Sequence, residues 1–328
     1  MKFARWQHEG KATCGVIHDD HALAFADGTT IEDLVKLGLV AALKIGNARI
    51  ASGTEDAPAL SEIKLLVPHQ PSSVRDYVAF EEHVEGVVKS IDASEGVVAE
   101  WYEYPTFYFT NPNMLIATGD VMHPPVTQRL DFELELGIVI GAVEGLDGMN
   151  MTIEDSAKTV FGYLIFNDWS ARDIQSREMK VRLGPAKGKD FATTLGPWIV
   201  TADEFESLID DEGFLPLVMT VSVNGTEIGR DLLSNIGWPI PELIAYASRN
   251  SRVSPGDILG SGTVGSGCLA ELWGRNGGPT PPPLKPGDEV VMTVEGVGEI
   301  RNVVGDYVVA PAIPAARVRP RLNRQKKG

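Results

Sequence analysis

Val160-Phe161-Gly162-Tyr163-Leu164-Ile165-Phe166-Asn167-Asp168-Trp169-Ser170-Ala171-Arg172-Asp173 is the stretch on which the architecture turns. Its first seven residues are apolar, with neither helical spacing nor alternation, which is the pattern of a strand buried on both faces. The run then ends in Asn167 and Asp168, and the spacing beyond predicts a helix over Trp169–Glu178. An Asp at such a junction either caps the helix or is a ligand held in a fixed place. Upstream, Asp131-Phe132-Glu133-Leu134-Glu135-Leu136-Gly137 alternates with period two. On a strand, Glu133 and Glu135 then share one face while Phe132, Leu134 and Leu136 pack on the other. Carboxylates about 7 Å apart beside apolar neighbours repel unless a cation lies between them. The alternative is a polar, solvent-facing edge of a half-buried strand. Asp168 adds a third carboxylate, and three carboxylates with water suit a hard divalent ion (Mg²⁺, Ca²⁺ or Mn²⁺) rather than zinc.

Working outward, the chain reads as mainly β with a few helices, an α+β pattern. Residues 1–68 form short strands, such as Cys14–Ile17 and Ala22–Ala26, followed by a helical pattern over Ile31–Leu43 that Thr30 would cap. Pro68 and the Pro71-Ser72-Ser73 turn mark a boundary near residue 68. Two domains follow: a small N-terminal β-rich one over 1–68, and a larger one over 69–328 with a basic tail. In the larger one Phe132–Val143, Val160–Asn167, Trp198–Thr201 and Leu217–Asn224 are strand patterns, and Asn224-Gly225 marks a hairpin. Pro255-Gly256-Asp257 and Pro286-Gly287-Asp288 each read as a turn feeding a strand. Ser156–Val160 and Pro239–Ser248 are further helix candidates.

The 328 residues are 43% hydrophobic and 23% charged, ordinary values for a globular protein with a sizeable core. Twenty-nine basic residues against 45 acidic ones give a net charge of −16. Arg317, Arg319, Arg321, Arg324, Lys326 and Lys327 form an acid-free tail, so the body is more acidic still. Nucleic acid and anionic membranes need a positive footprint, which this body lacks. Cys14 and Cys268 are the only cysteines, too few for a disulfide framework or a thiolate metal site. Neither a signal-peptide core nor a bilayer-length apolar run is visible, so the expected setting is the cytoplasm.

Other residues with chemical potential are sparser. Val74–Val84 places His83 seven residues after Asp76, two turns on if the segment is helical. His is the side chain best suited to deprotonate water near neutral pH. Arg172 and Gln175 lie three apart on one helix face. The run Leu183-Gly184-Pro185-Ala186-Lys187-Gly188-Lys189-Asp190-Phe191 loosely resembles a phosphate-cradling loop without its glycine spacing, and its two lysines read most simply as solvated.

Several of these blocks together resemble the fumarylacetoacetate hydrolase family. They are Leu130–Glu135, Asn167-Asp168-Trp169-Ser170-Ala171-Arg172-Asp173-Ile174-Gln175, and Gly184-Pro185 with Gly188-Lys189 through Phe191 and Thr194. Asp76 and His83 upstream and Leu269-Ala270-Glu271-Leu272 downstream fall in the family's order. The resemblance covers roughly residues 70–310.

It implies a mixed β-sandwich or β-roll with a metal in its mouth, commonly a homodimer. The implied reaction is hydrolysis of a carbon–carbon bond in a β-diketo acid, fumarylacetoacetate or an acylpyruvate-like substrate, in aromatic-compound catabolism. Asp76, Glu133, Glu135 and Asp168 would then be the ligands of a divalent cation, Mg²⁺ first, with Ca²⁺ or Mn²⁺ as alternatives. His83 would activate water with Glu271 orienting it; Arg172, Gln175 and Lys189 would stabilise developing charge. Tyr108 and Thr263 would contact the substrate. Val78 and Met179 replace tyrosines that reach the substrate in members cleaving fumarylacetoacetate, which weighs against that substrate. The alternative on the same scaffold is a hydratase, decarboxylase, isomerase or lyase of a keto or enol acid. A non-catalytic metal-binding β-protein is the remaining class, and the number of polar site residues present together argues against it.

Overall fold

The protein is described here by a computed structural model that covers residues 1–92 and 96–317. Most of the basic tail, Arg319 through Lys327, lies outside the described residues. The expected mainly β, α+β architecture is what the chain adopts.

An 11-stranded sheet is its backbone. From one edge the order is His21–Ala24, Lys11–His18, Lys2–His8, Thr193–Thr201, Val160–Asp168, Leu134–Ile140, Ile258–Gly260, Val74–Tyr77 and Phe107–Thr110. The Lys64–Leu65 and Leu115–Ile116 strands pair onto it from the side. Neighbours along that order are antiparallel except Ile258–Gly260 and Val74–Tyr77, which run parallel. A five-stranded sheet is built from Thr226–Leu232, Val218–Val223, Glu289–Val294, Gly298–Val304 and Val121–Met122.

The apolar run that opened the sequence reading lies at the centre because both of its faces are covered. Tyr163 and Ile165 share a core with Met219, Val221, Met292 and Ile300 of the five-stranded sheet. Leu164 and Phe166 face the other way, into a core with Phe3, Val16, Ile31 and Leu34. Burial on both sides removes any call for alternation, which is why the segment reads as continuous apolar sequence.

Residues 1–68 extend this sheet. Lys2 and Phe3 pair with Val200 and Ile199, and position 68 falls in the connection between Lys64–Leu65 and Val74–Tyr77. Thr30 caps a helix as expected, in a reciprocal capping box with Asp33. The helix expected over Ile31–Leu43 is in fact two, Ile31–Leu37 and Leu39–Ala51. Gly38 breaks it at φ 85°, and a Cβ there would sit 2.3 Å from the Ala142 carbonyl oxygen. Close approach to the segment that follows the Leu134–Ile140 strand, not local propensity, sets that break.

Other boundaries shift for similar reasons. The expected Ser156–Val160 helix is Ile153–Lys158, and Val160 opens the central strand instead. Pro239–Ser248 forms a helix over Ile240–Ser248 with Pro239 as its N-cap. The helix expected over Trp169–Glu178 begins only at Arg172, since Ser170–Ala171 pairs with Leu130–Asp131. Asp76 lies on a strand and His83 on the Glu81–Asp92 helix, so the two are not related by helical turns. The Asn224-Gly225 hairpin forms, with φ of 50° and 77° at the two residues, as a primed turn requires. Among the described residues no helix is long and apolar enough to cross a membrane.

Phe161 is fully buried and its ring stacks on Phe3 at 6.0 Å between centroids, joining the N-terminal strand to the central one. Phe161→Ala is expected to destabilise the protein by about 3–5 kcal/mol in urea unfolding, through lost burial and the cavity left behind. An unchanged midpoint would contradict this packing.

Candidate active site

The acidic residues converge because adjacent strands end at the same level. Asp76 is paired with Gly260 on one side and with Tyr108 on the other. Asp168 is the last residue of the central strand; Glu135 is the second residue of the Leu134–Ile140 strand, and Glu133 immediately precedes it. Gly260 has a specific part in this. A Cβ there would lie 2.8 Å from Glu135 Oε2 and 2.9 Å from Asp76 Oδ1, so only glycine lets both carboxylates approach.

Asp76, Glu133 and Asp168 each offer a ligand atom, and these atoms all lie within 4.8 Å of one another. Asp76, Glu133, Glu135 and Asp168 are 3% exposed or less. The solvent-facing reading of the Glu133–Glu135 strand is thereby excluded. So is capping by Asp168, because the following helix is capped at Ala171.

Two cations answer the four carboxylates. Lys189 Nζ contacts Glu133 and lies 2.8 Å from Asp168. Arg172 Nη2 is 2.7 Å from Glu133, its Nε donates to Asp131 at 2.8 Å, and its Nη1 donates to Gln175 at 3.1 Å. Tyr108 donates its hydroxyl towards Asp76 at 2.9 Å and towards Asp168. Glu135 accepts from the Gly262 amide at 3.0 Å and from Thr263 Oγ1 at 3.3 Å.

The four carboxylates respond differently to this setting. Burial, and then Asp168, pushes Asp76 well above the usual carboxylate range. Glu135 is likewise raised, by burial and then by Asp76. Burial also raises Asp168, against the pull of Lys189. At Glu133 burial is outweighed by Arg172 and Lys189, and its pKa falls to about 2.

Asp76 Oδ1 and Asp168 Oδ1 are buried with no hydrogen-bond partner. With Asp131 included, five buried carboxylates face two cations and leave an excess of negative charge, and two orphaned oxygens belong to residues whose ligand atoms converge. An all-oxygen donor set of that charge fits a hard divalent ion.

A second constellation abuts the first. His83 is buried, with Nε2 3.8 Å from Glu133 and Nδ1 3.8 Å from Glu271 Oε2. Glu271 sits in the first turn of the Leu269–Asn276 helix, wholly buried, and accepts the Ser266 amide at 2.8 Å. His83 lines one cavity of about 230 Å³ with Asp76, Glu133, Glu135, Tyr108, Thr263, Arg172, Gln175 and Lys189. Asp168 and Glu271 stand behind that lining, against Lys189 and His83 respectively.

Two neighbours had escaped notice. Asp131 is fully buried and accepts the Leu269 and Ala270 amides at 2.7 and 2.9 Å besides binding Arg172. Cys268 Sγ lies 3.6 Å from His83 Nδ1. The acidic run begins at Asp131, which was a visible signal; nothing local distinguishes Cys268.

The lysine-bearing loop corrects two expectations. Its amides at Ala186, Lys187 and Gly188 donate to the Glu178 carboxylate, so the anion it cradles is the protein's own. Lys187 is exposed as expected, whereas Lys189 is buried at the floor of the cavity.

Residues 72–305 match the family model for the fumarylacetoacetate (FAA) hydrolase C-terminal domain. The chain belongs to the fumarylacetoacetate hydrolase family. Within this family of enzymes, a fumarylacetoacetase of Arabidopsis thaliana is 30% identical over 74% of this chain and 70% of its own length. An oxaloacetate tautomerase of Bacillus subtilis is also 30% identical, over 75% of this chain and 74% of its own. Among solved structures, a maleylpyruvate hydrolase from Sphingobium, in complex with manganese and pyruvate, superposes with a TM-score of 0.66. That likeness covers 94% of this chain and 100% of the other at 21% identity, and speaks for the fold.

Asp131→Ala would leave Arg172 and two helix amides without their buried partner. It is expected to cost about 3–5 kcal/mol, as breaking a buried ion pair does, read as a lowered urea midpoint. A midpoint equal to that of the parent would refute the role of Asp131 as the joint between Arg172 and the Leu269–Asn276 helix.

Proposed function

We propose that this member of the family is a divalent-cation-dependent hydrolase that cleaves a carbon–carbon bond in a β-diketo acid, an acylpyruvate-like compound. The observation that carries the reading is the buried carboxylate cluster with its two orphaned oxygens, set beside a His–Glu pair whose histidine lines the same cavity. Asp76, Glu133, Glu135 and Asp168 are the residues that would hold the cation. When bound, it would supply Lewis-acid polarisation of the substrate's two carbonyl oxygens. Mg²⁺ suits this oxygen donor set, and the manganese of the Sphingobium enzyme supports a divalent cation in general.

The remaining work falls to side chains of the chain itself. Glu271 accepts a hydrogen bond from Nδ1–H of His83, fixing the tautomer that leaves Nε2 free to take a proton from water. Their 3.8 Å separation is of the loose kind that tightens when substrate binds. Hydroxide attacks one carbonyl, and the oxyanion is met by Arg172 and Gln175, donors of a type typically worth about 3–4 kcal/mol each. Scission of the carbon–carbon bond expels an enolate, whose charge lies next to Lys189 until its carbon receives the proton that His83 took from water. Tyr108 and Thr263 orient the substrate. A homodimer in the cytoplasm, serving aromatic-compound catabolism, is the setting we assign; family membership supports it.

A second reading, isomerisation of a keto or enol acid without attack by water, is favoured by the likeness to the tautomerase. The His83–Glu271 pair separates the two. His83→Ala is expected to lower kcat on an acylpyruvate by about 10²–10⁴-fold, while Mn²⁺ still binds by calorimetry. Full activity of that variant would overturn the hydrolytic mechanism.

Cation binding has its own readout. At about 100 times its Kd, Mg²⁺ or Mn²⁺ should stabilise the protein by about 2.7 kcal/mol, seen as a raised Tm that chelation reverses. Glu135→Gln should abolish most of that increment, and a variant responding like the parent would remove Glu135 from the ligand set.

A further inference from the structure

We infer that the acyl arm of the substrate is short and uncharged, so that the protein takes monoanionic acylpyruvates and rejects those with a second carboxylate at the acyl terminus. The inference rests on the hydrolytic reading for the identity of the arm, and on the cavity for its chemistry. At about 230 Å³ the cavity is smaller than common ligand pockets, which begin near about 300 Å³.

Its two ends differ in kind. Among the described residues, its polar and ionisable lining groups other than Tyr77 belong to the floor already described. The rest of the wall is Tyr77, whose hydroxyl donates to the Leu243 carbonyl, and Val78, Val84, Val87, Met179 and Pro185, whose side chains carry no hydrogen-bond donor.

The same elements supply both ends. Val78 follows the strand bearing Asp76, Val84 and Val87 share the helix of His83, and Met179 ends the helix that Arg172 begins. The apolar wall therefore keeps a fixed position relative to the reacting atoms.

A carboxylate at the tip of the arm would lose water against this wall and find no cation to replace it. Among the described residues lining the cavity, the lysine and arginine side chains are Lys189 and Arg172 alone. Both are tied to the floor, Lys189 by Glu133 and Asp168 and Arg172 by Asp131 and Glu133, where they face the reacting end of the substrate and not the tip of the arm. An unpaired buried carboxylate is strongly disfavoured, and the acidic floor adds repulsion. An uncharged alkyl arm instead buries apolar surface.

Two probes of equal chain length isolate the effect: 2-oxopentanoate and 2-oxoglutarate, which differ by the terminal carboxylate. Titrated by calorimetry into the full-length Mn²⁺-loaded protein, 2-oxopentanoate is expected to bind at least on the order of tenfold more tightly, the scale of discrimination an apolar pocket supplies. Met179→Arg, at a position 47% exposed and so tolerant of a longer side chain, should narrow or invert that ratio. Equal or tighter binding of 2-oxoglutarate to the parent protein would overturn the inference. Turnover of butanoylpyruvate, followed at its enol absorbance, addresses the other reading. No cleavage of it, with the binding preference intact, would sink the hydrolytic mechanism and uphold the apolar arm site.

Discussion

Confinement of negative charge is the constraint on which the molecule depends. Four carboxylates are held almost wholly away from bulk water, and three of them are driven towards protonation by burial and by neighbouring carboxylates. Arg172 and Lys189 offset part of that charge, and both concentrate on Glu133, which alone is held strongly acidic at about 2. The site is thus graded: one firmly ionised carboxylate beside three whose ionisation calls for more positive charge than the chain supplies. Such a gradient is the usual mark of groups arranged for chemistry rather than for stability.

The fold serves this confinement directly. A central strand covered on both faces can carry its last residue, Asp168, to a dry and rigid position. Parallel pairing of Ile258–Gly260 with Val74–Tyr77 sets Gly260 against Asp76, and the missing side chain becomes the space into which Glu135 fits. His83 and Glu271 come from two helices packed over the same end of the sheet. Precision here comes from strands and helices, while the loops contribute Lys189 and Thr263, each anchored by carboxylates of the cluster.

Much of this was readable in the chain because it is local. Strand parity placed Glu133 and Glu135 together, the apolar run announced a doubly buried strand, and Asn224-Gly225 marked its hairpin. What could not be read depends on partners remote in sequence. Arg172 meets Asp131 across 41 residues and His83 meets Cys268 across 185, separations no periodicity reports. The break at Gly38 is set by the Ala142 carbonyl, and the pairing of Lys2 with Val200 joins strands remote in sequence without a local mark. Lys187 and Lys189 look alike as letters; their difference arises because Lys189 descends towards Glu133 and Asp168 while Lys187 pairs with Asp190 in solvent.

Glu178, half-buried at the end of its helix, has a wider importance than its place outside the cavity would indicate. Its carboxylate gathers three consecutive amides of the loop that carries Lys189, and it stands on the helix that begins with Arg172. The two cations of the site are thereby yoked to a single mechanical unit, and Met179 and Pro185 ride on the same unit. A change at Glu178, which does not itself line the cavity, would therefore be felt by both charge-stabilising groups and by part of the apolar wall together.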